Sequence, residues 1–446
     1  MQIGVVGSGI AGLVASRLLT DLGHNVTLFE KRHAVGIDAH SVDIPFPRPA
    51  PPTDSGVSSV RADVPSRMFN ERLWPGLWRL YQKIGVTPRT VDSSQSFGCW
   101  QSPTSLTLPQ ANRPSMGPRG VLSARNRQVL KEAKRLQDSG KQDLENGIDT
   151  ATTFGQYLKD GGYSQDFIRG FLYPTLSSTV FTCSFQSLDQ YPAVRVLETL
   201  WQLTMEQAGL FRSGNGTRDV ARRLLNSAAN NEPLFDLRLS CSVESVQHSQ
   251  SNVTVTRSAS DGQQDSSQTF DHVVVATQAN HAIRLVPGLS ATTRATLESF
   301  KYENVPVSVH TDERLMPPKR RDWSTFNMLT TEDNSQAMCT VWLNRFHDDW
   351  ELEHPVFQTI NGFVEPDQKK TIRKAVMQRP VVNTRSIEAL QQLAALHNDP
   401  ARRIWFCGSY AAAGTPLLES GVQSAEAVVE RIERIERIES NAIPAN

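Results

Sequence analysis

The chain has 446 residues, a formal net charge of zero at pH 7, 39% hydrophobic and 21% charged residues, enough for two domains or one elaborated domain with a large core. Balanced charge excludes the electrostatic footprint of a nucleic-acid binder, and no apolar run reaches the ~18 residues of a membrane helix. Five cysteines, Cys99, Cys183, Cys241, Cys339 and Cys407, stand singly without a C-x-x-C, which excludes a disulfide framework or zinc site and leads us to expect no metal and a reducing, cytoplasmic setting.

In chain order, Ile3 to Val6 reads as a buried strand, Ala11 to Leu22 as a helix and Asn25 to Phe29 as a second strand. Between the first two lie Gly7, Gly9 and Gly12, a G-x-G-x-x-G in the strand–helix–strand setting that gives it meaning. Gly7 permits the tight turn, Gly9 lets a pyrophosphate approach the backbone, and Gly12 lets helix and strand pack closely, with the helix N-terminus offering free N–H groups. Glu30, ending the second strand, is placed to accept hydrogen bonds from a ribose.

Residues 43–60 hold five prolines between Pro45 and Pro52 and predict an irregular loop, as does the stretch 102–120. Between them a helix opens near Trp74-Pro75, with Leu77, Trp78, Leu80, Tyr81 and Ile84 on its buried side. Further helices are expected at 121–138, 152–160, about 164–176 and about 190–207, followed by a glycine turn and the amphipathic helix of "GNGTRDVARRLL". Strands are predicted at 236–247, 252–257 and 271–276, then antiparallel ones within 300–365. "RRIWFCGSY" reads as a last strand before the final helix, whose tail "RIERIERIES" is expected to be a solvated face, its charges alternating in sign.

Three separated segments, the first 36 residues, "HVVVAT" and "WFCGSYAAAGTPLLESGVQSAEAVV", resemble in order the FAD-binding segments of the flavin-containing amine oxidase and phytoene desaturase superfamily. "FNERLWPGLWRLYQKIGV" (69–86), "HTDERLMP" (310–317) and "WLNR" (342–345) bring the chain nearer still to its predicted NAD/FAD-binding, amine-oxidase-like subgroup. The resemblance implies an α/β fold: a Rossmann-like FAD-binding domain of the glutathione-reductase/amine-oxidase type with an inserted α+β substrate domain. It implies FAD as cofactor, a discontinuous FAD-binding domain from 1–62, 208–285 and 400–440, and a substrate domain from 63–207 and 286–399. The implied cofactor contacts are Gly7, Gly9, Ile10, Ala11, Gly12, Glu30, Lys31, Val243, Ala276, Gly408, Ser409, Gly421 and Val422.

Two places depart from the subgroup's pattern: Ile37 and Asp38 replace a glycine and its follower, and "AAAGTPLLESG" has lost aromatics and a histidine. With no second glycine fingerprint for NADPH, the resemblance points to an oxidoreductase that dehydrogenates a largely apolar small molecule of lipid or secondary metabolism. Hydride would pass to the flavin, then to oxygen or another acceptor. A redox-neutral isomerase or cyclase, and a non-catalytic flavin-bound scaffold, stand as alternatives.

His40 is the candidate general base or hydrogen-bond donor, against a purely structural histidine. Arg67, in "DVPSR", is the candidate anchor for a substrate carboxylate or for negative charge on reduced flavin, against an ordinary ion pair. Tyr173, Trp342, Asn344 and Tyr410 are pocket candidates, the aromatics equally readable as core. Cys407, inside a strand pattern, reads as a small buried hydrophobe rather than a flavin attachment point. Oligomeric state is left open.

Overall fold

A computed structural model describes residues 1–45, 59–108, 123–204, 209–229, 234–249, 251–258, 266–350 and 352–442. Most of the two expected proline- and glycine-rich loops, 46–58 and 109–120, therefore lies outside the described residues. The described ends of those stretches are extended. Val42–Pro45 pairs with Ser59–Ala62, and Leu106–Leu108 joins a sheet edge through Gln95–Cys99.

The glycine stretch forms β1 (Gln2–Val6), α1 (Ile10–Asp21) and β2 (Asn25–Phe29). β1 is central in a five-strand parallel sheet, flanked by His272–Val275 and then Ile404–Phe406 on one side, and by β2 and then Phe235–Arg238 on the other. Four of its strands are thus gathered from widely separated parts of the chain. Near-continuous Val, Ile, Leu and Phe suit strands covered on both faces.

α1 is sandwiched between this sheet and the final helix, Leu418–Ala442. Leu13, Val14, Ala15 and Leu19 share one core with Val422, Ala425, Val428, Ile432 and Ile435. Gly421 makes the close crossing possible, because a Cβ there would lie 2.6 Å from Ile10 Cγ2. The expected solvated tail is corrected here. Ile432 and Ile435 are buried, and the intervening acids are engaged, Glu433 with His24 Nε2 at 2.5 Å and Glu436 with His272 Nε2 at 3.0 Å. Each buried isoleucine contributes roughly 1.5–3 kcal/mol, which outweighs the few tenths expected from exposed ion pairs.

A seven-strand sheet runs in the order Thr371–Val381, Lys301–His310, Phe357–Ile360, Ala337–Trp342, Phe326–Thr330, Gln95–Cys99, Leu106–Leu108. All its pairs are antiparallel except Gln95–Cys99 against Phe326–Thr330. Val305, Val307, Val309, Ile360 and Met377 pack in one cluster with Ile44, Ala62, Val64 and Met68, so the chain leaving the glycine domain lies against the sheet's inner face. A helical layer from Ala124 to Thr204 has its own core around Phe154, Phe167, Tyr173, Phe181 and Leu197. Its segment 165–180 runs past the expected end at 176, with π-helical turns on either side of Pro174, whose missing N–H breaks the regular ladder.

Candidate functional site

The glycine turn shows why its residues must be small. Gly7 has φ of 101°, and a Cβ there would lie 3.0 Å from the Ala276 carbonyl oxygen. At Gly12 a Cβ would stand 1.8 Å from the Gly7 oxygen, so helix and turn meet at backbone contact. Over Gly9 there is nothing within 4 Å. α1 has no side-chain cap, and its first intrahelical bond is Leu13 N–H to Gly9 O at 3.0 Å. The N–H groups of Ile10, Ala11 and Gly12 precede that bond and lie at the positive end of the helix dipole, a cradle suited to a diphosphate.

Glu30 is buried and accepts the Ser8 hydroxyl at 2.6 Å, the Ser8 N–H at 3.1 Å and the Arg32 N–H at 2.9 Å. The Ser8 hydroxyl oxygen in turn accepts Gly36 N–H at 2.7 Å. The expected ribose acceptor is therefore also the clamp that ties the glycine turn to the 36–40 stretch. Lys31 beside it is exposed. Val243 opens the strand Val243–His248, and the residues before it bond to β2's end, Cys241 N–H to Glu30 O at 2.9 Å and Ser240 N–H to Arg32 O at 2.8 Å.

Ala276 N–H bonds Val6 O at 2.9 Å, and a Cβ on Gly408 would lie 3.4 Å from Thr277 O, so three separated segments meet at the glycine turn; Gly408 N–H in turn bonds Ser424 Oγ at 3.0 Å. Ser409 is half-buried, and Val422 is buried under α1 with Gly421.

Ile37 and Asp38, the first of the two departures, leave the cradle open. Ile37 turns inward and is 4% exposed in the core beneath α1. Asp38 is held by Arg61 through Nε at 3.0 Å and Nη2 at 2.7 Å, and by Arg218 Nε at 3.3 Å. Its charge is thereby matched. Next to it, Asp63 is buried and accepts Thr217 N–H at 3.0 Å and Thr217 Oγ at 2.8 Å, capping the helix Gly216–Ala229. Burial pushes the Asp63 carboxyl up in pKa, against the lowering by those hydrogen bonds.

His40 Nε2 lies 2.8 Å from Arg32 Nη1. A guanidinium only donates, so Nε2 is the bare nitrogen and the proton of neutral His40 sits on Nδ1. Burial first, then Arg32, Arg373 and Arg67, lowers its pKa to about 4. At neutral pH it is a neutral imidazole and a weak base, better placed to donate from Nδ1 than to abstract a proton. Arg67 donates to Ile37 O at 3.2 Å, and its Nε is buried without a partner. Burial lowers its pKa, against the opposing pull of Asp63.

The pocket candidates scatter. Tyr173 is buried in the helical core with its hydroxyl on Asp189. Asn344 closes a loop, accepting Val356 N–H at 2.7 Å and donating to His354 O at 3.1 Å. Trp342 packs edge-on against Trp323, its Nε1 unpartnered. Tyr410 is buried against Phe300 with a hydroxyl that lacks a partner, and with Ser409 and Ala412 it walls a small cavity beside Pro380 and Val382. Cys407 is fully buried, and burial pushes its thiol up to about 12.

Sequence reading missed Ser8, Asp63 and the role of Glu419. The last caps the helix Pro75–Lys83 through Gly76 and Leu77 N–H. A signal existed: that helix begins after Trp74, which has no capping oxygen. Among the described residues no group of three or more His, Cys, Asp or Glu is placed to hold a metal ion, and no helix is long and apolar enough to cross a membrane.

A parallel sheet with an open glycine cradle and a terminal acid, beside a large and mostly antiparallel sheet, makes this a dinucleotide-binding protein with a second, sheet-based domain. The profile of the family described as flavin containing amine oxidoreductase matches residues 10–432, and the chain belongs to that family. Similar solved structures include a CLA-producing fatty acid isomerase from P. acnes, 14% identical, covering 97% of this chain and 98% of that one at a TM-score of 0.62. Cyclohexylamine oxidase from Brevibacterium oxydans is 15% identical, with 97% and 99% covered and a TM-score of 0.61. Putrescine oxidase is 13% identical, with 97% and 99% covered and a TM-score of 0.62. A sequence comparison with curated proteins gave no match.

The cofactor is FAD, and the residues fit it: open space over Gly9, uncapped N–H groups at α1, Ile37 turned into the core and Asp38 neutralised.

Proposed function

We propose that the protein dehydrogenates a largely apolar small molecule of lipid or secondary metabolism in the cytoplasm. The observation that carries this reading is the inner face of the seven-strand sheet. Val305, Val307, Val309 and Met377 there face the segment 60–68, which leads directly from the glycine domain. A site bordered by this apolar core suits a greasy substrate and excludes water.

In this reading Gly7, Gly9, Ile10, Ala11 and Gly12 hold the diphosphate, Glu30 the ribose, and Val243, Ala276, Gly408, Ser409, Gly421 and Val422 complete the cradle. Bound FAD supplies the capacity to accept a hydride from a substrate C–H bond. His40 donates a hydrogen bond from Nδ1, and Arg67 supplies positive charge where negative charge gathers.

The test is the visible spectrum of the purified protein, followed by anaerobic addition of candidate substrates. Flavin bands that bleach with substrate and recover with oxygen support the reading; a flavin that no apolar substrate reduces counts against it. A second reading is redox-neutral isomerisation or cyclisation, favoured by the fold shared with the fatty acid isomerase. Product formation without oxygen consumption selects it.

A further inference from the structure

The helical layer contains a cleft of about 480 Å³ that shares no residue with the site described above. Its walls are the C-terminal half of the helix Ala124–Asn146, the turn that follows at Gly147 and Ile148, and the helix Phe154–Asp160 with Tyr163 beyond it. That volume falls in the usual range for a small-molecule site. Ile148 and the rings of Tyr157 and Tyr163 give it apolar lining.

The hydroxyl protons of those tyrosines and of Ser139 are spent within the wall. Tyr157 donates to Asp143 Oδ2 at 2.7 Å, and Ser139 donates to Arg135 O at 2.8 Å. The Tyr163 hydroxyl lies 3.2 Å from Ser139 Oγ and is therefore the donor of that pair. Arg135 is committed as well: Nη1 donates to Gly161 O at 3.0 Å, and the guanidinium lies 4.0 Å over the Tyr163 ring. Asp160 accepts Gln156 Nε2 at 2.6 Å. Neither Asp143 nor Asp160 forms an ion pair among the described residues, and both line the cleft. What the wall still offers a ligand is carboxylate oxygen.

The helix end gives an independent reason to expect a cation. The last carbonyls of a helix have no intrahelical partner, and the partial negative charge there favours a cation nearby. The helix Ala124–Asn146 has the opposite arrangement: its last turn carries Asp143 and Glu145 and no basic residue. Glu145 is paired with Lys141 at 3.7 Å, whereas Asp143 has no such partner. Asp143 is also half-buried, so salt and water screen it less than a surface acid. Asn146 and Gly147, which end that helix, line the same cleft. A half-buried acid at the wrong end of a helix, facing a cleft with a second unpaired acid, is a local conflict that a bound cation resolves.

We propose that this cleft is an accessory binding site for a small organic cation, whose ammonium is received by Asp143, Asp160 and the end of the helix Ala124–Asn146. The site lies apart from the cofactor segments, so its occupation is measured independently of flavin chemistry. The probes are phenethylamine, an ammonium at neutral pH, with phenethyl alcohol and hydrocinnamate as its neutral and anionic counterparts. Each is titrated into the full-length, FAD-loaded protein by anaerobic calorimetry. Phenethylamine is expected to bind at least about tenfold more tightly than the alcohol, and hydrocinnamate more weakly than either. Added salt should weaken the amine. Asp143→Asn and Asp160→Asn are each expected to weaken the amine about fivefold or more, with FAD content unchanged.

Equal binding of amine and alcohol, a preference for hydrocinnamate, or no binding of the amine overturns the proposal on the wild-type protein alone. So does amine binding that survives both substitutions, which would place the cation elsewhere on the protein. Asp160 stands on the exposed rim of the cleft, so Asp160→Asn decides the matter even where Asp143→Asn fails to fold: undiminished binding there overturns the proposal.

Discussion

The carboxylate of Glu419 accepts the N–H of Gly76 at 2.9 Å across 343 residues of chain, and that of Leu77 at 2.7 Å. One buried acid at the start of the last helix thereby caps the helix Pro75–Lys83, which has no cap of its own. Gly76 is part of the arrangement, because a Cβ there would sit 2.8 Å from Glu419 Oε1. We expect Glu419→Ala to cost about 1–2 kcal/mol, the loss of a helix cap. Gly76→Ala should displace the same carboxylate, so the double variant should lose much less than the sum of the singles. Urea unfolding of the four proteins measures this; strict additivity would mean that the two residues do not act together.

An acid such as Asp38 close to a diphosphate would repel it, but its pairing with Arg61 and Arg218 changes what its removal should do. Asp38→Ala leaves Arg61, which is largely buried, with only the half-exposed Asp43. We expect a stability loss of about 1–3 kcal/mol and no tightening of FAD binding. A cofactor titration that showed tenfold tighter binding would mean that Asp38 does repel the diphosphate.

Acid should destabilise the fold through buried histidines. His310 accepts Asp312 N–H at Nδ1 (3.1 Å), Thr359 Oγ lies 2.8 Å from Nε2, and burial lowers its pKa from 6.5 to about 4. Above 6.5 it is neutral in both states and adds no pH dependence. Below that value the unfolded chain takes up a proton that the folded protein refuses, so stability falls as pH drops towards 4. For His310 alone the loss is at most about 3 kcal/mol, and His40 and His397 act in the same direction. His310→Gln, which keeps an acceptor and a donor without titrating, should flatten the decline between about pH 6.5 and about pH 4. An unchanged slope would remove His310 from the account.

How much of this was legible in the sequence follows from the range of each interaction. β1, α1 and β2 were readable because apolar period and glycine spacing act within a few residues. The strand Thr371–Val381 was not, because its pattern is inverted: Ile372 and Val376 are 37% and 62% exposed, while Arg379 faces inward. The same inversion hid Arg379. Ile432 and Ile435 were misread as solvated because the ring of charges around them looks like a surface. Only the packed structure shows His24 and His272 meeting Glu433 and Glu436. Arg67, Tyr410 and the glycine contacts were named from motifs, but the clamp from Glu30 through Ser8 to Gly36 required the fold.

Thiol chemistry should divide the five cysteines into two groups. Cys183, Cys339 and Cys407 are buried, and burial raises each thiol pKa, to about 12 for Cys339 and Cys407. A thiolate is the reactive form, so only half-buried Cys99 and Cys241 should be alkylated in the native protein at mildly alkaline pH. FAD should then leave on denaturation rather than remain attached at Cys407. Mass mapping of alkylated peptides and of released flavin checks both; native labelling of Cys407 would contradict the packing of that strand.

Gly9 and Gly12 offer the sharpest separation between folding and cofactor binding. A Cβ on Gly12 would stand 1.8 Å from a backbone oxygen that cannot move without opening the turn. Gly12→Ala should therefore lose both stability and FAD. A Cβ on Gly9 meets no protein atom within 4 Å, and the residue's φ of −64° is ordinary for alanine. Gly9→Ala should leave the melting temperature of the FAD-free protein unchanged and still weaken FAD binding about tenfold or more, at least about 1.4 kcal/mol, because the methyl group occupies space left for the diphosphate. If Gly9→Ala binds FAD as tightly as the wild type, the diphosphate does not lie over this turn, and the glycine spacing serves the packing of α1 alone.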